Sequence, residues 1–155
     1  ILNGISMSKF IHPITLEAAY EVASHLRPED YEEIVEGHGM TPTIDIPLMS
    51  MNGENVYFTV PDGRIAGLAG VQAYGQIWML TTPAIHDFPC TFAREAKRYI
   101  DSRKEPRLWN IVYAKNIVHI KLLKFLGFKF GGEFPYGPNN RHFIEFQKCV
   151  PPQPH

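Results

Sequence analysis

The stretch Ile77–Thr82 is apolar at consecutive positions (Ile77, Trp78, Met79, Leu80) rather than at alternate ones. A strand of that kind is buried on both faces and belongs at the centre of its sheet. A second strong strand, Leu108–Ala114, follows it in the chain. Between the two, Phe92–Arg103 repeats at helical spacing. Phe92, Ala96, Tyr99 and Ile100 fall on one side; Arg94, Lys97, Arg98 and Arg103 fall on the other. Strand, helix, strand in that order predicts a right-handed parallel crossover. The chain is thereby expected to build an α+β fold, a mixed sheet of about six to seven strands with helices on both faces.

The flanking segments fit that frame. Phe10–Ile14 is a short extended run, and Thr15 is an N-cap for a helix over Leu16–Leu26, with Tyr20 sharing its apolar face. Arg27-Pro28-Glu29-Asp30 opens a second helix, with proline in the first turn and acids beside the positive helix end. Its stripe is Tyr31, Ile34 and Val35, and Gly37 and Gly39 stop it. Met40–Met51 is proline-punctuated, with a short helix around Ile44, Ile46, Leu48 and Met49. Strands are expected over Val56–Val60 and Ile65–Tyr74, joined by the turn Pro61-Asp62-Gly63-Arg64. Ile85–Thr91 reads as a loop. Asn116 is expected to cap a helix bearing Ile117, Ile120, Leu123 and Leu126, with Leu122 and Phe125 beside them, ended by Gly127. Phe128–Glu133 and Arg141–Lys148 read as a closing pair of strands around a turn at Pro135–Asn140.

Composition narrows the function. The 155 residues suit one domain over 1–155. Lys+Arg at 15 against Asp+Glu at 16 leaves no basic footprint for nucleic acid. The two cysteines, Cys90 and Cys149, are too few for a disulfide framework, and the seven histidines show no metal spacing, so no metal is expected. No apolar run approaches the ~20 residues of a membrane span. Ile1–Ser6 lacks the features of a signal peptide; it reads as non-native, with Met7 the natural start, and 150–155 reads as a loose tail.

The run Asn116-x-x-His119-x-x-Leu122-Leu123-Lys124-x-x-Gly127-Phe128, at the end of this element order, resembles the last helix of the Gcn5-related N-acetyltransferase (GNAT) fold. A narrower likeness covers most of the chain. Leu26–Ile34, Trp78–Ile85, Leu108–Val112 and Asn116–Lys121 are similar to short-tailed-phage acyltransferase-like proteins, a family described as internal virion or virion-assembly proteins.

The GNAT resemblance implies a site. Acetyl-CoA would lie in a splayed gap between Ile77–Thr82 and Leu108–Ala114. Its pantetheine arm would pair with backbone of the first strand, and its pyrophosphate would sit at the start of the next helix. The implied contacts are Trp78, Met79, Leu80, Thr81, His86, Phe92, Asn116 and Leu123. Two departures stand out. The expected glycine-rich pyrophosphate loop is Pro83-Ala84-Ile85-His86-Asp87-Phe88-Pro89-Cys90-Thr91-Phe92, which has no glycine, carries an acid and contains a donorless proline; Arg94, Lys97 and Arg98 offer partial compensation. The tyrosine that many relatives place seven residues after the asparagine is here Leu123, which carries no proton. His86, His119 and Tyr113 are the catalytic candidates, with Cys90, and with Tyr74 and Gln76 as further polar groups near the sheet ends.

Each candidate also has a structural reading. His86 reads as a surface-loop histidine, His119 as a packed one and Asn116 as a cap. Trp78 and Trp109 read as core, Cys90 as an inert thiol, the α-helical Arg94–Arg103 charges as a solvated face, and Gly67 and Gly70 as marks of a bulge or close packing. Two functions follow from the resemblance. One is an acetyl-CoA-dependent N-acetyltransferase acting on an amine (a small molecule, a protein lysine or an N-terminus). The other is an inactive protein of the same fold acting through phage virion or host proteins. Its place would be the host cytoplasm or the virion, not a secreted location.

Overall fold

The computed structural model describes residues 8–149. The expected start at Met7, the residues before it and the 150–155 tail lie outside them. Seven strands are seen there: β1 (Ile11–Pro13), β2 (Val56–Thr59), β3 (Ile65–Gln72), β4 (Gln76–Thr81), β5 (Arg107–Tyr113), β6 (Lys129–Tyr136) and β7 (Arg141–Cys149). They form one sheet in the order β1-β2-β3-β4-β5-β7-β6. The β4–β5 pair is parallel and the other pairs are antiparallel. β4 is central, as its double-sided apolarity requires.

Among the described residues five α-helices flank the sheet: α1 (Leu16–Ser24), α2 (Pro28–Glu32, running on as a π turn over Glu33–Gly37), α3 (Pro42–Ser50), α4 (Pro89–Asp101) and α5 (Ile117–Phe125). Two apolar clusters lie on opposite faces of the sheet. On one face, Ala19, Val22, Ile34 and Ile46 from α1–α3 meet Leu68 and Leu80. On the other, Phe92, Ala96, Tyr99 and Ile100 from α4, with Leu126, meet Phe58, Ile77 and Val112. Strand alternation sends neighbouring residues to opposite clusters.

Several boundaries differ from expectation. α1 ends at Ser24 rather than Leu26, because the chain turns extended at Arg27 ahead of Pro28. Thr15 caps it as expected, its hydroxyl accepting from the Ala18 N–H at 3.1 Å. α4 begins at Pro89, inside the expected loop. Thr82 caps a 3-10 turn over Pro83–His86, and Pro89 takes the first helical turn, where its missing N–H costs nothing. α3 forms with Pro47 inside it. β6 runs through Pro135, which an edge strand tolerates. Leu16, Tyr20, Tyr31, Ile117 and Phe125, placed on apolar stripes from spacing, are more than half exposed. Gly70 marks close packing: a methyl there would lie 1.9 Å from Asn55 Oδ1.

Candidate functional site at the split between two parallel strands

β4 and β5 touch at one register pair, Gln76 with Trp109. Beyond it they part, around a cavity of about 330 Å³ lined by Ile77, Met79, Leu80, Asn110, Leu122 and Leu123 among others. Backbone groups alternate in direction along a strand. The Thr82 N–H points to β3, bonding the Ala66 carbonyl at 2.9 Å, so Thr81, Met79 and Ile77 turn their backbone to the split. On β5 the Ala114 N–H bonds His142 of β7 at 2.9 Å, so Tyr113 and Ile111 face the split from the other side.

Side chains stand in for the missing ladder. At the inner end, the Asn110 carboxamide donates to the Ile77 carbonyl (2.7 Å) and accepts from the Ile111 N–H (2.7 Å). At the outer end α2 enters the split. Asp30 Oδ2 accepts from the Thr81 N–H (3.2 Å), the Arg27 N–H bonds the Thr81 carbonyl (3.0 Å), and Glu33 Oε1 accepts from the Tyr113 N–H (2.7 Å). Asp30 and Glu33 share a helix face at three-residue spacing and reach one strand each.

A buried polar cluster surrounds this wedge. Arg27 is 1% exposed, Asp30, Thr81 and Asn116 are fully buried, and His119 is 6% exposed. The Arg27 guanidinium donates to Asp30 (3.2 Å), Asn116 Oδ1 (3.3 Å), Glu29 (3.1 Å) and His86 Nε2 (3.3 Å). Asn116 Nδ2 donates to Asp30 Oδ1 at 2.9 Å. Asn116 stands at the N-cap position of α5 but makes no capping bond; its side chain is spent on the cluster, which overturns its expected role as a cap.

The protonation states follow. The Thr81 hydroxyl has one hydrogen and donates it to Asp30. At the 3.0 Å contact with His119 Nε2, the ring must therefore be the donor. Burial lowers the His119 pKa, an effect Asp30 partly offsets, which favours the neutral ring. Glu33 sits deep in the cavity wall. Burial, and then the charge of Asp30, push its pKa up to about 8. Arg27 already balances Asp30, so a second carboxylate there lacks a counter-ion.

The structure gathers Thr81, Asn116, His119 and His86 around Arg27, and puts Trp78, Met79, Leu80 and Leu123 in the cavity wall. His86 itself is exposed. Phe92 is not in the cavity wall: it is buried edge-on against Phe58, in the same apolar cluster as Ile77. Tyr113 is buried, with its hydroxyl donated to Glu32 at 2.8 Å; burial and that carboxylate raise its pKa. Cys90 is exposed. Trp109 is half-buried, its indole donating to the Tyr74 carbonyl. Asp87 pairs with Arg64 at 2.7 Å, while Lys97 pairs with Asp101 and Arg94 and Arg98 flank buried Glu95. Sequence reasoning missed Arg27, Asp30, Glu33 and Asn110. The Arg27-x-x-Asp30-x-x-Glu33 spacing is the available signal; in sequence Glu29 and Asp30 read only as acids beside a positive helix end. Among the described residues no group of His, Cys, Asp and Glu could hold a metal ion, and no helix is long and apolar enough to cross a membrane.

No protein-family model and no curated protein sequence matches the chain. Solved structures do. A GNAT-family acetyltransferase from Bacillus anthracis aligns at 16% identity and TM-score 0.66, over 94% of this chain and 97% of its own. The ribosomal-protein-S18-alanine N-acetyltransferase of Escherichia coli aligns at 17% identity and TM-score 0.62, over 94% and 96%. A Salmonella typhimurium protein solved with its cofactor acetyl-CoA aligns at 13% identity and TM-score 0.66, over 96% and 98%. Likeness over nearly the whole length of each chain, together with the parted parallel strands, establishes that this chain has the fold of the Gcn5-related N-acetyltransferases.

Proposed function

We propose that the chain is an N-acyltransferase that uses acetyl-CoA to acetylate an amine by direct transfer. The observation that carries this reading is the split itself: parallel β4 and β5, whose register pairing is limited to Gln76–Trp109, part around a 330 Å³ cavity with a buried acid in its wall. The inner split suits a slender thioester arm, since its walls are apolar and Met79 turns an N–H and a carbonyl toward it. The bound coenzyme would supply an acyl group activated as a thioester. Two solved neighbours support the reading, one holding acetyl-CoA and one named for N-acetylation of an alanine.

The chain's own residues take the remaining roles. Glu33, as carboxylate, accepts the proton that the acceptor amine loses. His119 and Asp30 fix the Thr81 hydroxyl and so the end of β4. Leu122, Leu123, Leu126 and Phe128 give the cavity an apolar wall. Leu123 offers no proton to a departing thiolate, and Tyr113 gives its hydroxyl hydrogen to Glu32. The acceptor is a small amine, a protein lysine or an N-terminus. Titration calorimetry with acetyl-CoA, paired with thiol release in the presence of amines, tests the reading. Heat of binding and amine-dependent thiol are expected; neither at millimolar ligand would falsify it.

A different observation favours a second reading. The turn before α4 has no glycine, α4 opens on Pro89, and the edge of Thr81 is already taken. On this reading the chain keeps the fold without the chemistry and acts through contacts with virion or host proteins, as its likeness to the short-tailed-phage proteins implies. Mass spectrometry of purified particles finding the chain at fixed copy number would support it. Acetyl transfer abolished by Glu33→Gln would count against it.

A further inference from the structure

We propose that the Arg27–Asp30–Glu33 face of α2 is a built-in occupant of the strand edges an acyl donor's arm would use: it holds the split open and closes its mouth, and the arm enters only when that face withdraws from Thr81. The proposal rests on the acyl-donor reading above and adds to it a gate.

The outer half of the split is filled by the chain itself. Thr81 and Tyr113 are the last residues of β4 and β5, and both direct backbone groups at the gap. The Thr81 N–H is taken by Asp30, its carbonyl by the Arg27 N–H, and the Tyr113 N–H by Glu33. Two edge strands left unpaired inside a protein would either zip together or leave buried polar groups without partners. A helical segment presenting two carboxyl groups three residues apart satisfies one N–H on each strand while keeping the strands apart. The guanidinium of Arg27 then neutralises Asp30 and ties the wedge to Asn116, at the head of α5. The contact thus spans the split from β4 to α5. Arg27 is 1% exposed and Asp30 is fully buried, so these side chains fill the space beside the Thr81 edge.

The wedge has the means to move. α2 has a single regular turn, from Pro28 to Glu32, before the backbone widens into the π turn at Glu33–Gly37. Withdrawal frees the Thr81 N–H and carbonyl together, next to the backbone of Met79. The arm would then exchange one set of edge partners for another, and its apparent affinity would be reduced by the fraction of chains that remain closed.

The test compares the parent chain with the double variant Arg27→Met/Asp30→Leu, which replaces the ion pair with apolar groups of similar length; such replacements of buried pairs are often tolerated. Titration calorimetry with coenzyme A is expected to show at least tenfold tighter binding by the variant. Amide exchange followed by NMR in the parent chain, with and without coenzyme A, gives a second readout that needs no variant to fold: the amides of 29–33 should exchange faster once coenzyme A is bound. Equal affinities, or α2 exchange that is unchanged or slowed by bound coenzyme A, overturn the gate and leave the acyl-donor reading standing. No binding by either chain at millimolar coenzyme A overturns both.

Discussion

Glu33 gains a hydrogen bond from the Tyr113 N–H and loses water on every side, and the loss dominates. Its pKa rises from 4.5 unfolded to about 8 folded, so between those values the folded chain holds a proton that the unfolded chain has released. Stability from this group therefore falls as pH climbs through that window and levels off above it. Glu33→Gln keeps the acceptor and removes the titration. Urea unfolding at pH 5.5 and pH 9 should show the variant gaining on the parent at the higher pH; parallel losses in both chains would contradict the assignment. Asn110 offers a second test. Asn110→Ala strands the Ile77 carbonyl and the Ile111 N–H, and the expected loss is about 1–3 kcal/mol in the urea-derived stability. Neither residue was legible in the sequence. An acid in a helix's first turns and an asparagine within an apolar strand have ordinary explanations, and only the split gives them partners.

At the scale of elements, the parallel pair depends on how the chain leaves β3 and enters β4. Gly75 makes that corner with φ at 78°, and a methyl there would lie 1.9 Å from the Arg107 carbonyl oxygen. Gly75→Ala should cost more than about 2 kcal/mol, since a side chain in left-handed backbone meets a neighbouring strand that cannot give way. Gly53→Ala is the control: φ is 92° but no atom lies within 4 Å, so the cost should stay near 1–2 kcal/mol. Thermal unfolding that ranks the two alike would mean the β3–β4 corner does not set the contact at Gln76–Trp109. The elements themselves were largely readable. Period and punctuation located both strands of the split, α4's buried face and the helix between Asn116 and Gly127. What failed was the reading of ends. Asn116 looks like a cap in sequence because caps are made locally, but here Asp30 and Arg27, more than eighty residues away, compete for its carboxamide and win.

For the whole molecule, the chemistry proposed for the split carries its own pH signature. Glu33 accepts a proton only as carboxylate, so the transfer rate should rise with pH and level off above about 8. Glu33→Gln should lower kcat by roughly 10²–10⁴-fold with a much smaller change in KM. A flat pH profile, or a variant with parental kcat, removes Glu33 from the reaction. The order of strands and helices, the central place of β4 and the parallel crossover were determined by sequence alone, because apolar period and turn residues act over a few positions and need no distant partner. Tertiary structure alone decided that β4 and β5 part, that Arg27, Asp30 and Glu33 fill the parting, and that one carboxyl there holds its proton near neutrality. Burial and electrostatic pairing depend on which distant groups share a dry space, and that becomes defined only when the two strand ends and α2 meet.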